Sequence, residues 1–354
     1  MTVTQVDPRA DKTAIREAVD ATLSAYLDIK QQAFGDPWMR HRVDLLRQFL
    51  AGGKRLRPLL CAAGWEAGGG TGLPGPVLRA AACLEMFHGF ALIHDDVMDH
   101  SATRRGHPTL HEALAHDPGR AQGNWPGICG AILLGDLALC WSDELLHTAG
   151  LTADQLARAL PLLDEMRTEV MYGQLLDIQA TGHLTNDLEA TLRIIRYKTA
   201  KYTVERPLHI GAALAGAPPA TLAACSAFAL PLGEAFQLRD DLLGVFGTAR
   251  DTGKPTLDDL REGKNTPLMA IALSRADTGQ AELLHRLVRQ PDLDEAGAAA
   301  VRDVLQATGA DKTVEQMITG RYELALDALR HPALSGPARA TLQALADACV
   351  WRSA

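Results

Sequence analysis

Apolar residues recur along this chain at the spacing of helices. In long stretches they stand three and four positions apart, which places them on one face of an α-helix, and short segments of alternating β-branched residues are absent. Together with the Gly and Pro breaks, this pattern predicts a helix starting near Pro58, shorter helices across 268–352, and helices over 11–33, 37–50, Pro76 to Met98, 127–148, 152–180, 187–215 and 219–246. The predicted fold class is all-α.

Three polar stretches interrupt the helices. Residues 100–126 and 247–267 read as loops, and residues 1–10 as a disordered N-terminus. No internal repeat and no linker-like segment divides the rest. Residues 11–354 are therefore predicted to form a single large helical bundle.

Composition and charge narrow the class of protein. Of 354 residues, 47% are hydrophobic and only 5% aromatic, so the core is built mostly from Ala and Leu. A net charge of −8 argues against nucleic acid as a partner. The six cysteines form no C-x-x-C pair and are expected to be buried free thiols in a reducing compartment. The apolar run from Gly127 to Trp141 is interrupted by Asp136 and is short for a bilayer, and no signal peptide is evident, so we expect a cytoplasmic protein without a membrane span.

Two acidic clusters carry the candidate chemistry. The first ends the helix that begins at Pro76, and the second lies within the helix over 219–246; their residues are Asp95, Asp96 and Asp99, then Asp240 and Asp241. Asp95 and Asp99 stand one helical turn apart on one face. Carboxylates at a helix C-terminus are disfavoured by the macrodipole unless a cation offsets them. Mg²⁺ takes oxygen ligands and keeps substrate phosphate among them, so the two clusters predict chemistry in which diphosphate leaves carbon.

Basic residues lie near both clusters in loops and at helix ends. Arg makes forked contacts with phosphate, whereas Lys offers a point charge. Each one alone is an ordinary surface residue, but as a set they suit a site that binds polyanions: Lys54, Arg55, Arg57, Arg104, Arg105, Lys198, Lys201, Lys254 and Lys264.

Four motifs together give the chain a recognisable likeness. They are Gly52-Gly53-Lys54-Arg55-Leu56-Arg57-Pro58, then His94-Asp95-Asp96-Val97-Met98-Asp99 followed by Arg104-Arg105-Gly106, then Phe236-Gln237-Leu238-Arg239-Asp240-Asp241, and finally Gly253-Lys254 with Glu262-Gly263-Lys264-Asn265-Thr266. With them the chain resembles the trans-isoprenyl diphosphate synthases of the polyprenyl synthetase family, most closely bacterial geranylgeranyl diphosphate synthases. The likeness implies an all-α homodimer in which each subunit has a central cavity, three Mg²⁺ ions per active site, and isopentenyl and allylic diphosphates as substrates.

The resemblance also implies residue roles. Asp95, Asp99 and Asp240 would bind Mg²⁺, supported by Asp96 and Asp241. The allylic diphosphate would be held by Arg104, Lys198 and Lys254, with Lys264 nearby. Isopentenyl diphosphate would be held by Lys54, Arg57, His88 and Arg105. Thr199 and Gln237 would lie beside the reacting carbon, with help from Gln174.

One departure and one specificity feature stand out. Many relatives carry a third Asp four residues after Asp240, where this chain has Gly244; a weakened metal site is one consequence. Product length in similar enzymes depends on side chains before the first acidic cluster, here Phe87, Phe90 and Ala91. An aromatic residue at Phe90 implies geranylgeranyl diphosphate (C20), with C15 or C25 as alternatives. A class I terpene cyclase on the same fold and a non-catalytic partner subunit are the other readings.

Overall fold

The computed structural model describes residues 12–116, 124–247 and 257–351, and it confirms the all-α class. The helices are α1 (Lys12–Phe34), α2 (Pro37–Leu50), α3 (Leu56–Ala67), α4 (Gly75–Met98), α5 (Leu110–Ala115), α6 (Asn124–His147), α7 (Ala153–Ala180), α8 (Leu188–Ile195), a π-helix (Arg196–Glu205), α9 (Arg206–Leu214), α10 (Pro219–Phe246), α11 (Asp258–Glu262), α12 (Pro267–Arg275), α13 (Thr278–Leu287), α14 (Glu295–Ala307), α15 (Ala310–Ala328) and α16 (Gly336–Val350). Two two-residue strands, β1 (Thr103–Arg104) and β2 (His107–Pro108), pair antiparallel.

Local sequence signals account for several helix ends. Asp36 caps α2 by accepting from the backbone N–H of Trp38, and Pro37 occupies the first turn, where its missing N–H costs nothing. Asp277 and Gln280 form a reciprocal capping box at the start of α13. These helices begin where short polar side chains satisfy backbone donors that the helix itself leaves unpaired.

The largest differences from the predicted elements lie in the two polar loops and in the helix over 187–215. The loop predicted over 100–126 contains the β1–β2 pair and α5, and the one over 247–267 contains α11. The predicted helix over 187–215 is interrupted by the ten-residue π-helix. Segments this short carry too few apolar positions for periodicity to register, and a π-turn leaves the apolar pattern almost unchanged.

Contacts between residues group the chain into two compact units. Unit 1 comprises Met1–Ala159 with Ile210–Ala217, and unit 2 comprises Leu160–His209 with Pro218–Ala354. In unit 1, α4 packs against α3 and α6, and in unit 2, α10 packs against α15 and the π-helix. The single-domain assignment of residues 11–354 stays a prediction, and the disordered N-terminus predicted over residues 1–10 lies outside the described residues.

Two expectations from composition need revision. Helices α4, α6 and α10 are each long and apolar enough to cross a membrane by length and composition, with 72%, 39% and 56% of their most apolar windows buried. The apolar run from Gly127 to Trp141 is therefore not evidence against a membrane span, because α6 continues beyond it at both ends. The absence of a membrane span stays a prediction. The cysteines are free, but Cys140 is exposed and Cys129 only half-buried, contrary to the expectation that all are buried.

Candidate active site

The first acidic cluster occupies the last turn of α4 and differs in burial from residue to residue. Asp96 is 1% exposed, and both its oxygens accept from Arg104 Nε, at 2.8 and 2.9 Å. Arg104 Nη2 lies 2.7 Å from Asp96 Oδ1 and 3.6 Å from Asp95 Oδ2. Asp95 and Asp99 are half-buried. Asp96 is thus ion-paired with the Arg104 guanidinium. The carboxylates of Asp95 and Asp99 lie at the C-terminal end of the helix, where the macrodipole is negative.

The β1–β2 hairpin places Arg104 against the end of α4. Arg104 pairs with His107 across the two strands, with Arg105 in the left-handed region at the turn (φ +52°). The Thr109 hydroxyl donates to the carbonyl of Ser101 at 2.8 Å and closes the loop. The sequence motif places Arg104 a few residues from the acidic cluster; the hairpin turns that proximity into a forked ion pair.

The glycine-rich motif before α3 contacts the same hairpin. Arg105 Nη1 donates to the carbonyl of Ala51 at 3.1 Å, and its Nη2 lies 2.9 Å from where a Cβ on Gly53 would be. Gly53 also has φ +92°, a conformation that side chains disfavour. Lys54, the next residue, is exposed. The close approach of Arg105 and the backbone conformation together account for glycine at position 53.

His88 on α4 lies within the electrostatic reach of four arginines. Burial lowers the pKa of His88 well below its usual value, and Arg57, Arg104, Arg105 and Arg55 lower it further. The imidazole is therefore neutral at neutral pH. Unit 1 thus brings together Arg57, His88 and Arg105, which the resemblance assigns to one substrate.

Arg55 holds this basic region in place through contacts that the sequence did not indicate. Its side chain is buried and donates to Glu85 at 2.8 Å, to Asp20 at 2.7 Å and to the carbonyl of Leu50 at 2.6 Å. Glu85 is 4% exposed within an otherwise apolar stretch of α4. A lone carboxylate in such a stretch is the signal that a buried partner exists, but the sequence alone does not say which one.

The residues proposed to limit product length form one aromatic cluster on α4. Phe87 is fully buried and Phe90 is 9% exposed, with ring centroids 5.2 Å apart. Phe90 also packs against His94 at 4.7 Å, and Ala91 is half-buried. Of the two phenylalanines, Phe90 retains some exposed area, whereas Phe87 retains none.

In unit 2, the π-helix carries Lys198 and Thr199 and packs tightly between α7 and α10. A Cβ on Gly173 of α7 would lie 2.3 Å from the backbone nitrogen of Lys198, and one on Gly233 of α10 would lie 2.4 Å from Ala200 Cα. Both helices therefore approach the π-helix backbone at distances that only glycine permits. Such widened turns occur frequently at functional sites.

A chain of hydrogen bonds links the π-helix to the second acidic motif. Thr199 Oγ1 donates to Gln237 Oε1 at 2.8 Å, and Gln237 Nε2 donates to Asp241 Oδ1 at 2.8 Å. Burial raises the pKa of Asp241 to about 7; the bond from Gln237 opposes this, whereas Asp259 and Asp240 add to it. Asp240 is half-buried beside it. The two bonds fix the orientation of the Gln237 amide.

Lys198 and Lys264 of unit 2 are held by carboxylates. Lys198 Nζ lies 2.5 Å from Asp177 on α7, one turn beyond the half-buried Gln174. Lys264 Nζ lies 3.0 Å from both Asp259 and Glu262. The glycine–lysine pair at 253–254, with its predicted diphosphate contact through Lys254, lies outside the described residues.

These motifs match a known family. A model of the polyprenyl synthetase family covers residues 40–305. The chain belongs to the polyprenyl synthetase family. It is therefore a trans-prenyltransferase of the trans-prenyl diphosphate synthase class, and as a polyprenyl synthetase it is metal-dependent and uses isoprenyl diphosphate substrates.

Relatives of this polyprenyl synthetase differ in product. A crystal structure of geranylgeranyl pyrophosphate synthase from Corynebacterium glutamicum, complexed with isoprenyl diphosphate and magnesium, is 39% identical, with a TM-score of 0.92 over 97% of this chain and 100% of that one. Geranylfarnesyl diphosphate synthase of Aeropyrum pernix is 33% identical over 85% of this chain and 91% of its own length. (2E,6E)-Farnesyl diphosphate synthase of Mycobacterium tuberculosis is 30% identical over 85% and 80%. Relatives thus span C15, C20 and C25 products.

The carboxylates of the polyprenyl synthetase motifs fit a hard divalent cation. Within residues 12–116, 124–247 and 257–351, no group of three or more His, Cys, Asp or Glu residues is placed to hold a metal ion by itself. Mg²⁺ characteristically binds through one or two carboxylates and completes its shell with water and substrate phosphate. Half-buried Asp95, Asp99 and Asp240 suit that mode, which needs no ready-made cage of protein ligands.

Proposed function

We propose that this enzyme condenses isopentenyl diphosphate with allylic diphosphates head to tail in the presence of Mg²⁺, releases diphosphate, and makes geranylgeranyl diphosphate (C20). The observation that carries the C20 assignment is Phe90, an aromatic side chain on α4 that packs against the fully buried Phe87 and keeps 9% of its surface exposed. An aromatic ring at this position limits the space into which a growing prenyl chain extends.

The acidic residues are assigned to the metal. Asp95, Asp99 and Asp240 would hold Mg²⁺, with three ions per site, supported by Asp96 and Asp241. Bound Mg²⁺ would supply charge stabilisation on the departing diphosphate, a term that is usually the largest in such catalysis. The ion pair between Asp96 and Arg104 supports this division, because it leaves Asp95 and Asp99 as the outer carboxylates of the motif.

The cationic residues are assigned to the two diphosphates. Arg104, Lys198, Lys254 and Lys264 would bind the allylic substrate, and Lys54, Arg57, His88 and Arg105 would bind isopentenyl diphosphate. The positive charges of Arg57 and Arg105, which both act on His88, support the second assignment, because guanidinium groups bind diphosphate oxygens in a forked geometry.

The π-helix and α10 are assigned to the reacting carbons. Thr199 and Gln237, with Gln174, would lie along the allylic cation, where their fixed dipoles stabilise positive charge without supplying a nucleophile. The hydrogen bond from Thr199 to Gln237 supports this role, since it holds the amide oxygen in one orientation. The proton lost from the new C5 unit would pass to the released diphosphate, and the site must exclude water, which would trap the cation.

A product assay tests the proposal. Purified enzyme is incubated with Mg²⁺, isopentenyl diphosphate and, separately, C5, C10 and C15 allylic diphosphates, and products are read by mass spectrometry. A ladder that ends at C20 is expected. A ladder that ends at C15 or C25 would replace the C20 assignment, and release of a hydrocarbon or alcohol from a prenyl diphosphate alone would indicate a cyclase.

Phe90→Ala tests the length assignment directly, with products longer than wild type expected. The matched control is Phe228→Ala, which removes the same volume from a fully buried site on α10. Both substitutions lower stability by about 3–5 kcal/mol, but only the first is expected to change product length. An unchanged product distribution in Phe90→Ala would show that this ring is ordinary core.

We further propose a homodimer of cytoplasmic subunits with no nucleic-acid partner. Support comes from α6, where Trp125 is 72% exposed and Leu133 is 63% exposed. Exposed apolar side chains on one long helix are typical of subunit interfaces. Light scattering after size exclusion is expected to give twice the 38.0 kDa chain mass, and Leu133→Glu is expected to give single chains.

A further inference from the structure

A buried carboxylate on α10 joins the π-helix to α15. Glu234 is 6% exposed, and its Oε1 accepts from Arg196, at 3.2 Å from Nε and 2.9 Å from Nη2. Its Oε2 accepts from Nε of Arg321, on α15, at 2.7 Å. Arg196 is the first residue of the π-helix. Glu234 therefore ties the start of the π-helix to α10 and, through its other oxygen, ties α10 to α15.

The π-helix and α10 are joined a second time a few residues further on. Thr199 stands three residues after Arg196, and Gln237 stands three residues after Glu234. The Thr199 hydroxyl donates to Gln237 Oε1 at 2.8 Å. One contact alone would let the π-helix turn about it, whereas an ion pair and a hydrogen bond together fix the side chain of Thr199 relative to α10.

The far end of the π-helix is held independently by α7. Lys201 Nζ lies 2.5 Å from Oε1 of the buried Glu169, and Oε2 of this carboxylate lies 2.7 Å from Arg206 Nε. These contacts do not involve Glu234. Loss of the contact at Arg196 is therefore expected to free one end of the π-helix while the other end stays anchored.

Stability alone does not account for Glu234. Burial of a carboxylate costs free energy that its ion pairs offset only in part, and a well-packed apolar residue often stabilises a fold equally well. The side chain of Arg196 is 53% exposed, so solvent screens its ion pair, which contributes little to stability. A contact of this kind, next to the bond between Thr199 and Gln237, is suited to fixing a position.

We propose that Glu234 is a positioning residue, which acts through Arg196 to hold the Thr199 hydroxyl in place against Gln237. This inference rests on the proposed function, since that function puts Thr199 and Gln237 beside the allylic cation. Displacement of a group that acts in the transition state lowers kcat and leaves substrate binding nearly unchanged.

The test compares the two arginines that share Glu234. Arg196→Met removes the contact to the π-helix, and the matched control Arg321→Met removes the contact to α15. In each variant the carboxylate keeps one guanidinium partner. Steady-state kcat and KM are measured for isopentenyl diphosphate and for an allylic diphosphate, in both variants and in each one combined with Thr199→Val. Unfolding in denaturant verifies that all of the variants are folded.

Arg196→Met is expected to lower kcat about three- to fivefold, which is no more than the loss of the Thr199 hydrogen bond itself, with both KM values within about twofold of wild type. Added to Thr199→Val, it is expected to lower kcat by less than about twofold further, because the group that it positions is already absent. Arg321→Met is expected to keep kcat within about twofold of wild type, alone and relative to Thr199→Val.

The outcomes separate this inference from the proposed function. Wild-type kcat in Arg196→Met, equal losses of kcat in the two arginine variants, or losses that multiply when Arg196→Met is added to Thr199→Val would each overturn the role of Glu234 and leave prenyl transfer standing. Wild-type kcat in Thr199→Val would remove Thr199 from the mechanism and this inference with it. Absence of prenyl transfer in the wild-type enzyme would overturn the proposed function as a whole.

Discussion

The ion pair between Asp96 and Arg104 predicts a large stability loss from a change of only one charge. In Asp96→Asn the side chain keeps its shape, but the buried guanidinium loses its countercharge. Breaking a buried pair by removing one partner costs about 3–5 kcal/mol. The Arg104 side chain keeps 16% exposure and lies 3.6 Å from Asp95, so we expect the lower end of that range, about 3 kcal/mol.

Guanidinium unfolding without Mg²⁺ or diphosphate measures this loss. Tryptophan fluorescence reports mainly on unit 1, which contains Trp38, Trp65, Trp125 and Trp141 of the five tryptophans. The control Asp99→Asn removes the same charge at the C-cap of α4, where relief of the helix dipole offsets any loss, so its effect should stay within about 0.5 kcal/mol.

A double variant checks the mechanism. Asp96→Asn combined with Arg104→Met removes the uncompensated charge and is expected to recover at least half of the loss, because replacing both partners of a buried pair is often nearly neutral. If Asp96→Asn destabilises no more than Asp99→Asn, or if the double variant is as unstable as the single one, then Arg104 is not the buried charge that the geometry indicates.

Three other perturbations probe separate parts of the chain. Folding lowers the pKa of His88, so its contribution to the free energy of unfolding is full above the unfolded pKa of 6.5 and falls as pH drops below it, by at most about 1.4 kcal/mol per pH unit. In denaturant titrations at several pH values, the free energy of unfolding of His88→Gln should fall less steeply with acid than that of wild type. Identical slopes would contradict the assignment. Gly211→Ala would place a Cβ 1.9 Å from a backbone oxygen of α3 and should lower the free energy of unfolding, measured in denaturant, by about 3 kcal/mol. The control Gly320→Ala, with nothing within 4 Å of its Cβ, should raise it by up to about 1 kcal/mol. Equal effects would refute the tight contact at Gly211. Thr199→Val removes the hydroxyl that donates to Gln237 and should lower kcat about fivefold, as the loss of one hydrogen bond of about 1 kcal/mol implies. Thr199→Ser keeps the hydroxyl and should retain wild-type kcat; equal losses in the two variants would refute the role of this bond.

Elements that depend on local pattern were predictable. Helices α2 and α10 begin and end where the sequence places them, because apolar periodicity, Pro at the first turn and a Gly shortly after the last turn are local properties. The short elements were not predictable. The forked pair from Arg104 to Asp96 holds the β1–β2 hairpin, and Arg261 ties α11 to the carbonyl of Leu293. Both contacts join residues that local propensity treats separately.

By itself, the sequence determined the all-α class, the family and the candidate site residues, because each motif is a run of neighbouring positions whose chemistry is visible in the letters. Only the tertiary structure decided which partners those residues have and how deeply each is buried. It paired Asp96 with Arg104, kept His88 neutral among arginines, and placed Asp259 where Gly244 leaves space. Such outcomes depend on burial and on distances of a few ångströms between separate helices. Burial and distance determine the interaction energy between two charges and the volume open to a side chain, and a residue's neighbours along the chain specify neither.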